Sequence, residues 1–156
     1  MRLVTIDSST RRTGMALFEN GVYQTHVLVD LNSTKEQTDE RISTMIGRMI
    51  EHLNAMRPDA VVIEEPKGHA NVELVRKLSE ILGAVRGWCI SNAIEYHEIK
   101  PSVWRKYCGI SQGKKKREEL KEESINLVKE KYGMTVSDDE ADSICIGIAT
   151  INIQGL

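Results

Sequence analysis

Residues 60–66 read Ala-Val-Val-Ile-Glu-Glu-Pro, a short apolar run that ends in two carboxylates and a proline. Because the run is short and rich in β-branched residues, it predicts a buried strand rather than a helix. Pro66 has no amide hydrogen for a ladder, so the strand ends there and carries Glu64 and Glu65 to the carboxyl end of a sheet. Successive side chains on a strand point to opposite faces, so only one of the two glutamates can join a given site.

The 156-residue chain has an ordinary globular composition, with 40% hydrophobic and 28% charged residues. Its length predicts a single domain over residues 1–156 with enough chain to bury a core. No apolar run reaches the length of a membrane span and the N-terminus lacks a signal-peptide pattern, so we expect a cytoplasmic protein with no membrane partner. The cysteines are three in number and widely spaced. They favour reduced thiols over a disulfide framework or a zinc site.

The hydrophobic pattern around this strand predicts a mixed sheet. Three strands in succession, joined by tight connections, are predicted at residues 2–6, 14–18 and 22–31. The first of them ends at Asp7 and is expected to be central, because the three form an antiparallel meander. A helix with a capping box from Ser33 to Glu36 follows and leads into the strand at 60–64, which is the arrangement of a right-handed crossover.

The second half of the chain is predicted to be mainly helical. A long helix from about residue 72 to 92 carries an apolar face that is wide for a helix covering one sheet. That face is either deeply buried or meets a second subunit. The remaining predicted elements are a fifth strand at 94–99, a short helix near 104–107, a polar helix at about 115–131 and a last helix from Ser137 or Asp138 to Gln154.

A basic segment lies between the fifth strand and the polar helix. No acidic residue occurs from Ile99 to Arg117. Its basic residues are Lys100, Arg105, Lys106, Lys114, Lys115, Lys116 and Arg117. Taken alone, a charge run is usually a solvated face, but beside a carboxylate site it also predicts a phosphate-binding patch.

Acidic residues recur at the ends of three predicted elements. Asp7 ends the first strand, Glu64 ends the strand after the crossover, and Asp139 and Asp142 share one face at the start of the last helix. Acidic residues in a first helical turn are most often partners of the helix dipole. A cluster of carboxylates, however, repels itself unless cations compensate the charge.

The chemistry of such a cluster favours particular cations. Hard oxygen ligands without neighbouring cysteine or histidine suit Mg²⁺, with Mn²⁺ as an alternative. Two such ions can activate water and stabilise the leaving oxygen of a phosphodiester. The predicted metal ligands are therefore Asp7, Glu64, Asp139 and Asp142, and the predicted reaction is metal-assisted phosphodiester cleavage.

The chain resembles a known superfamily at these positions. The order of elements and the acidic residues are similar to the RNase H-like α/β fold, a five-stranded mixed sheet whose first three strands are antiparallel, flanked by helices. Within it the RuvC Holliday-junction endonucleases are most similar, over nearly the whole chain. The matching motifs are Ile6-Asp7 with Thr13-Gly14, then Val62-Ile63-Glu64, and then the D-x-x-D helix at Asp139-Glu140-Ala141-Asp142.

The resemblance implies a structure-selective endonuclease that nicks branched DNA, such as Holliday junctions, with two divalent ions. It assigns Asp7, Glu64, Asp139 and Asp142 as catalytic residues. If the match to the family is shifted by one residue, the adjacent Glu65 or Asp138 is the alternative to Glu64 or Asp139. It also implies a homodimer, because two symmetric incisions require two active sites, and the helix near 72–92 is the candidate interface.

Two segments depart from the RuvC pattern. Ser8-Ser9 stands where these proteins commonly carry Pro-Gly, and Pro66-Lys67-Gly68 replaces a segment where bacterial enzymes can present an aromatic that disturbs base pairs. The Lys-Pro-Ser-x-Trp-Arg stretch at 100–105 resembles the small bacteriophage-encoded members. Arg105 and Lys115 or Lys116 fall near positions where relatives hold basic residues close to the scissile phosphate.

Three other functions fit parts of the sequence. One is a nuclease of the same fold that acts on RNA or an RNA–DNA hybrid, and another is a junction-binding protein without catalysis. The third is an actin-like nucleotide-binding domain, since Asp7 to Gly14 is similar to a first phosphate loop. That fold normally needs two such domains, and this chain is too short for them.

Overall fold

The computed structural model describes residues 1–66, 71–110, 113 and 115–155. Its strands are β1 (Arg2–Asp7), β2 (Arg12–Glu19), β3 (Val22–Asp30), β4 (Ala60–Glu64) and β5 (Glu95–Ile99). They form one sheet in the order β3-β2-β1-β4-β5. The first three strands pair antiparallel, whereas β1 with β4 and β4 with β5 pair parallel. The predicted mixed sheet and the central position of β1 are confirmed.

Five helices flank this sheet in the described part of the chain. They are α1 (Thr38–Met56), α2 (Val72–Ser91), α3 (Pro101–Tyr107), α4 (Arg117–Tyr132) and α5 (Asp138–Gln154). Of these helices, none has the length and apolarity needed to cross a membrane.

The predicted start of α1 is wrong. The helix begins after Gln37, whose side chain makes no cap hydrogen bond. Glu36 does not reach back to Ser33; its Oε1 accepts a hydrogen bond of 3.0 Å from the hydroxyl of Thr44 instead. The capping box lies at α5, where Ser137 and Glu140 satisfy each other's backbone amides.

Alternation along the strands separates two cores. Val4 and Ile6 of β1 pack with α1 and α2 on one face of the sheet. Leu3 packs with α3, α4 and α5 on the other face, and the hydroxyl of Thr5 donates a hydrogen bond of 2.7 Å to the carbonyl of Ser143 in α5. Because side chains alternate, Asp7 continues the row that faces α5.

Two glycines let α5 lie close to the sheet. A Cβ on Gly14 of β2 would stand 2.1 Å from the carbonyl oxygen of Asp139, and a Cβ on Gly147 of α5 would stand 2.0 Å from the ring of Phe18. Neither gap leaves room for a methyl group. The missing side chains therefore set the height of α5 over the sheet, and with it the height of the acidic residues in its first turn.

Candidate metal centre and nucleic-acid interface

The strand register places Asp7 beside Glu64. Ile6 pairs with Ile63 in the parallel β1–β4 ladder, so the next residues of the two strands lie side by side at the carboxyl edge. Ile6 and Ile63 face α1 and α2, so by alternation Asp7 and Glu64 point to the other side of the sheet, where α5 lies. Glu65 comes one residue later, where its amide donates to the carbonyl of Ile99 at 2.9 Å, and it borders the same cleft from the side of α2.

The first turn of α5 brings Asp139 and Asp142 to the same edge. The capping box holds this turn, with the amide of Ser137 donating to Oε2 of Glu140 at 2.7 Å. All four predicted carboxylates border one cleft of about 260 Å³. The structure thus brings together the four residues that are distant in sequence.

The cleft has walls of different chemistry. Cations from α3 and α4 form one wall, and apolar side chains from α2 form the opposite one. The cations are Arg105, Arg117 and Lys121, and the apolar residues are Leu74, Val75 and Leu78. An anionic polymer can approach the carboxylates only if such cations or bound metal ions offset their charge.

Burial and neighbouring charges raise the pKa values of Asp7 and Asp142. The pKa of Asp7 lies well above its ordinary value, first because of burial and then because of the charges of Glu64 and Asp142. Burial likewise raises the pKa of Asp142 to about 7, although a hydrogen bond from Ser124 opposes this rise. The Oδ1 atom of Asp142 is buried without a hydrogen-bond partner. Buried carboxylates with raised pKa values, one of them with an unsatisfied oxygen, are a feature of cation sites.

Three acidic side chains at the cleft contact other side chains of the protein, one through a hydrogen bond and two through ion pairs. The indole nitrogen of Trp104 donates to Oε2 of Glu64 at 2.5 Å. Arg12 lies 3.5 Å from Asp139, and Lys121 lies 3.0 Å from Asp138. Asp138 is therefore turned toward α4, whereas Asp139 is turned toward β2.

The donor set fits a hard divalent cation. Carboxylate oxygens predominate, and the orphaned oxygen of Asp142 lies among them. Among the residues that the structure describes, no three acidic, histidine or cysteine side chains stand close enough to hold one ion jointly. Binding a shared ion therefore requires some of these carboxylates to move, against contacts such as the Arg12–Asp139 pair.

The predicted basic patch divides into three groups. Arg105 and Arg117 border the cleft. Lys100, Lys106 and Lys116 are exposed to solvent, whereas Lys115 pairs with Glu123 of α4. Lys114 lies outside the described residues, as do Lys67 and Gly68 of the segment in which this chain departs from the bacterial pattern.

Sequence reasoning missed two cations at the site. Lys121 lies one helical turn after Arg117, so helical spacing was a signal that could have found it. Arg12 opens β2 and reaches Asp139 only through the tertiary fold, and its sequence context carries no such signal.

The Ser8-Ser9 departure has a local explanation. The hydroxyl of Ser9 accepts the amide of Arg12 at 2.8 Å and donates to the carbonyl of the same residue at 2.5 Å. The next residue, Thr10, accepts a hydrogen bond of 3.1 Å at its carbonyl from the side chain of Arg41 in α1. The turn after Asp7 is thus closed by side-chain hydrogen bonds.

The wide apolar face of α2 is mostly core. Ile81, Val85 and Cys89 are buried against the sheet and α1. A different stripe of α2 faces outward, with Val72 84% and Ile90 70% exposed.

Comparisons with known proteins show the family and the fold of this chain. The sequence profile of the family described as Lactococcus phage M3 protein matches residues 1–151. The crossover junction endodeoxyribonucleases RuvC of Mycobacterium ulcerans and Mycobacterium marinum are each 28% identical over an alignment of 106 residues that covers 65% of this chain. The chain spans 58% of the length of these curated relatives.

Solved structures share the fold over almost the whole chain. RuvC of Thermus thermophilus in complex with a Holliday junction substrate gives a TM-score of 0.76 at 21% identity, covering 99% of this chain and 96% of that one. The fowlpox virus resolvase with Holliday junction DNA gives 0.68 at 16% identity, with 99% of both chains covered. The yeast mitochondrial Holliday junction resolvase gives 0.63 at 17% identity, covering 98% of this chain and 78% of that one. The predicted RuvC-type, RNase H-like fold is confirmed.

Proposed function

The chain belongs to the family described as Lactococcus phage M3 protein and has the fold of RuvC, and from this premise we propose that it is a metal-dependent endonuclease that nicks branched DNA. The observation that carries the proposal is the gathering of Asp7, Glu64, Asp139 and Asp142 in one cleft beside a cationic wall. The names of its relatives point to Holliday junctions as the substrate. A phage-encoded nuclease of this kind would act in the cytoplasm of the host.

The four carboxylates are the groups that would hold the cations. Two Mg²⁺ ions, or Mn²⁺ in their place, would activate the attacking water and stabilise the leaving oxygen of the phosphodiester. The raised pKa values of Asp7 and Asp142 mean that protons compete with the cations for these oxygens. Glu64 and Asp139 complete the set, since they border the same cleft.

The cationic wall would guide the DNA backbone to this site. Arg105, Arg117 and Lys121 stand beside the carboxylates and can contact the phosphates that flank the cut. The exposed Lys100, Lys106 and Lys116 extend the positive surface. Contacts of this type read the position of phosphates, so selection of branched DNA would rest on shape rather than on bases.

A homodimer would supply the two active sites that symmetric cutting requires. The outward stripe of α2, rather than the wide apolar face predicted from the sequence, is the candidate interface. Val72 and Ile90 lie about five turns apart on one side of the helix. Between them, the Cβ positions of Gly83 and Gly87 meet open space, so a second helix could approach closely.

The proposal is tested with a synthetic immobile four-way junction. The protein with Mg²⁺ should nick the junction at symmetric positions, and EDTA should abolish cutting without abolishing binding. A linear duplex of the same sequences is the matched control and should remain intact. Binding without metal-dependent cutting would make the chain a junction-binding protein. Faster cutting of an RNA–DNA hybrid or single-stranded RNA would reassign it as a ribonuclease of the same fold.

A further inference from the structure

Trp104 is a buried tryptophan whose polar atom points at the carboxylate cluster. Its side chain is fully buried, with 0% exposure. A buried indole normally finds a partner for its N–H. Here the partner is Oε2 of Glu64 at 2.5 Å, contributed by a strand end 40 residues earlier in the chain.

The position of this N–H is set by packing. α3 begins with Pro101 at its first position, and the indole lies in the core that joins α3 to the sheet and α5. The guanidinium of Arg105 covers the ring, 5.0 Å from its centroid. Core packing and the guanidinium of Arg105 therefore hold the ring with its N–H directed at Glu64.

We propose that Trp104 is a positioning residue for the metal centre, which fixes the orientation in which Glu64 presents its carboxylate to the cation. The inference rests on the proposed function, because it takes Glu64 to be a cation ligand. A ligating carboxylate that can rotate must be ordered when the metal binds. A hydrogen bond from a rigid donor orders it beforehand, and partners of this kind typically change metal affinity by about ten- to a hundredfold.

The substitution Trp104→Phe separates this role from packing. It keeps an aromatic ring in the core and removes only the donor and part of the ring volume. Trp88, the other tryptophan of the chain, provides the matched control. Its N–H donates to Asn54 at 3.2 Å, and neither residue borders the cleft. Trp88→Phe should therefore leave the metal centre unchanged.

The probe is Mn²⁺ alone, titrated by calorimetry into the full chain without DNA. Trp104→Phe should bind Mn²⁺ roughly ten- to a hundredfold more weakly, with the same stoichiometry as the unaltered chain. Trp88→Phe should bind as the unaltered chain does, and Asp7→Asn should lose the saturable signal. Metal-free urea unfolding of each variant reports any packing loss separately.

Tryptophan fluorescence tests the same role without substituting Trp104. In the Trp88→Phe chain all tryptophan emission comes from Trp104, so a titration with Mg²⁺ should change that emission, with the affinity that calorimetry of the same chain with Mg²⁺ gives. In the Trp104→Phe chain the emission of Trp88 should not respond.

The possible failures are distinct. Unchanged Mn²⁺ affinity in Trp104→Phe, together with loss of binding in Asp7→Asn, would overturn the positioning role and leave the metal site standing. Emission from Trp104 that does not change when the chain binds Mg²⁺ would also overturn the positioning role. Binding that Asp7→Asn does not affect would instead remove the metal site, and with it the proposed function.

Discussion

Replacing Asp142 by Asn should stabilise the metal-free protein, and the gain should grow with pH. The pKa of Asp142 is raised by burial from 3.8 to about 7, so the folded chain holds this proton more tightly than the unfolded chain does. Where the folded state binds more protons, stability falls as pH rises. The penalty is therefore absent below the unfolded pKa, develops between about pH 4 and pH 7, and is complete above it.

The size of the effect follows from the two pKa values. A tenfold difference in proton affinity corresponds to about 1.4 kcal/mol, so the ionised carboxylate costs on the order of 4 kcal/mol at about pH 8. Asn cannot ionise and avoids this cost. The amide of Asn brings two N–H donors into the same buried place, and any that lacks an acceptor costs free energy, so the observed gain should be somewhat smaller.

The assay is urea unfolding in EDTA at about pH 5 and about pH 8. The unaltered chain should lose stability between the two, and Asp142→Asn should lose much less. Asp138→Asn is the contrasting control. Burial raises the pKa of Asp138, but the hydrogen bond and charge of Lys121 outweigh this and lower it. Asp138 therefore contributes stability above its unfolded pKa, and Asp138→Asn should destabilise the chain at both conditions.

Added Mg²⁺ completes the test. At about pH 8 it should raise the unfolding free energy of the unaltered chain, because it binds only the folded site. Asp142→Asn should gain much less from the metal. Loss of stability in Asp142→Asn at the higher pH would show that burial does not penalise the ionised carboxylate and that the protein already satisfies it without a cation.

Three further predictions concern the helix placement, the DNA surface and the dimer. Gly14→Ala should cost about 1–3 kcal/mol of unfolding free energy and weaken Mg²⁺ binding, because its Cβ would displace α5 at Asp139. Gly47→Ala is the control and should be neutral or stabilising, because its Cβ meets open space on α1. Equal effects of the two substitutions would contradict this prediction. Junction binding should weaken steeply with salt, and the combined change Arg105→Ala and Arg117→Ala should flatten the slope by up to about 2; an unaltered slope would place the DNA elsewhere. Gly83→Glu should convert a dimer to monomer in sedimentation without unfolding the chain, whereas a persistent dimer would exclude the outward stripe of α2.

The sheet and its acidic edge could be predicted because they depend on short-range signals. Alternation of side chains and a terminating proline are enough to place Glu64 at a strand end, and the parallel register then sets it beside Asp7. The last helix was predictable for a similar reason, since Ser137 precedes an acidic first turn. The start of α1 was predicted wrongly. Ser33 and Glu36 have the residue types of a capping box, but the pattern alone does not show that they bond to each other, and Glu36 bonds to Thr44 instead.

The contacts that surround the carboxylates were beyond sequence reasoning. The Arg12–Asp139 and Trp104–Glu64 contacts join elements that meet only after the sheet and helices have packed. The face of α2 presented a related difficulty, because a wide apolar pattern predicts burial without saying what covers it. Side-chain chemistry therefore predicted which groups are needed, and tertiary packing decided which of them touch.

The proposed function requires that the cleft lined by Asp7, Glu64, Asp139 and Asp142 binds cations. Anomalous diffraction from crystals grown with Mn²⁺ tests it most directly. Asp7, Glu64, Asp139 and Asp142 should surround the anomalous peaks, and Asp7→Asn crystals should lose them. Peaks only at other surfaces, or peaks that persist without the Asp7 carboxylate, would show that these carboxylates do not hold the cations.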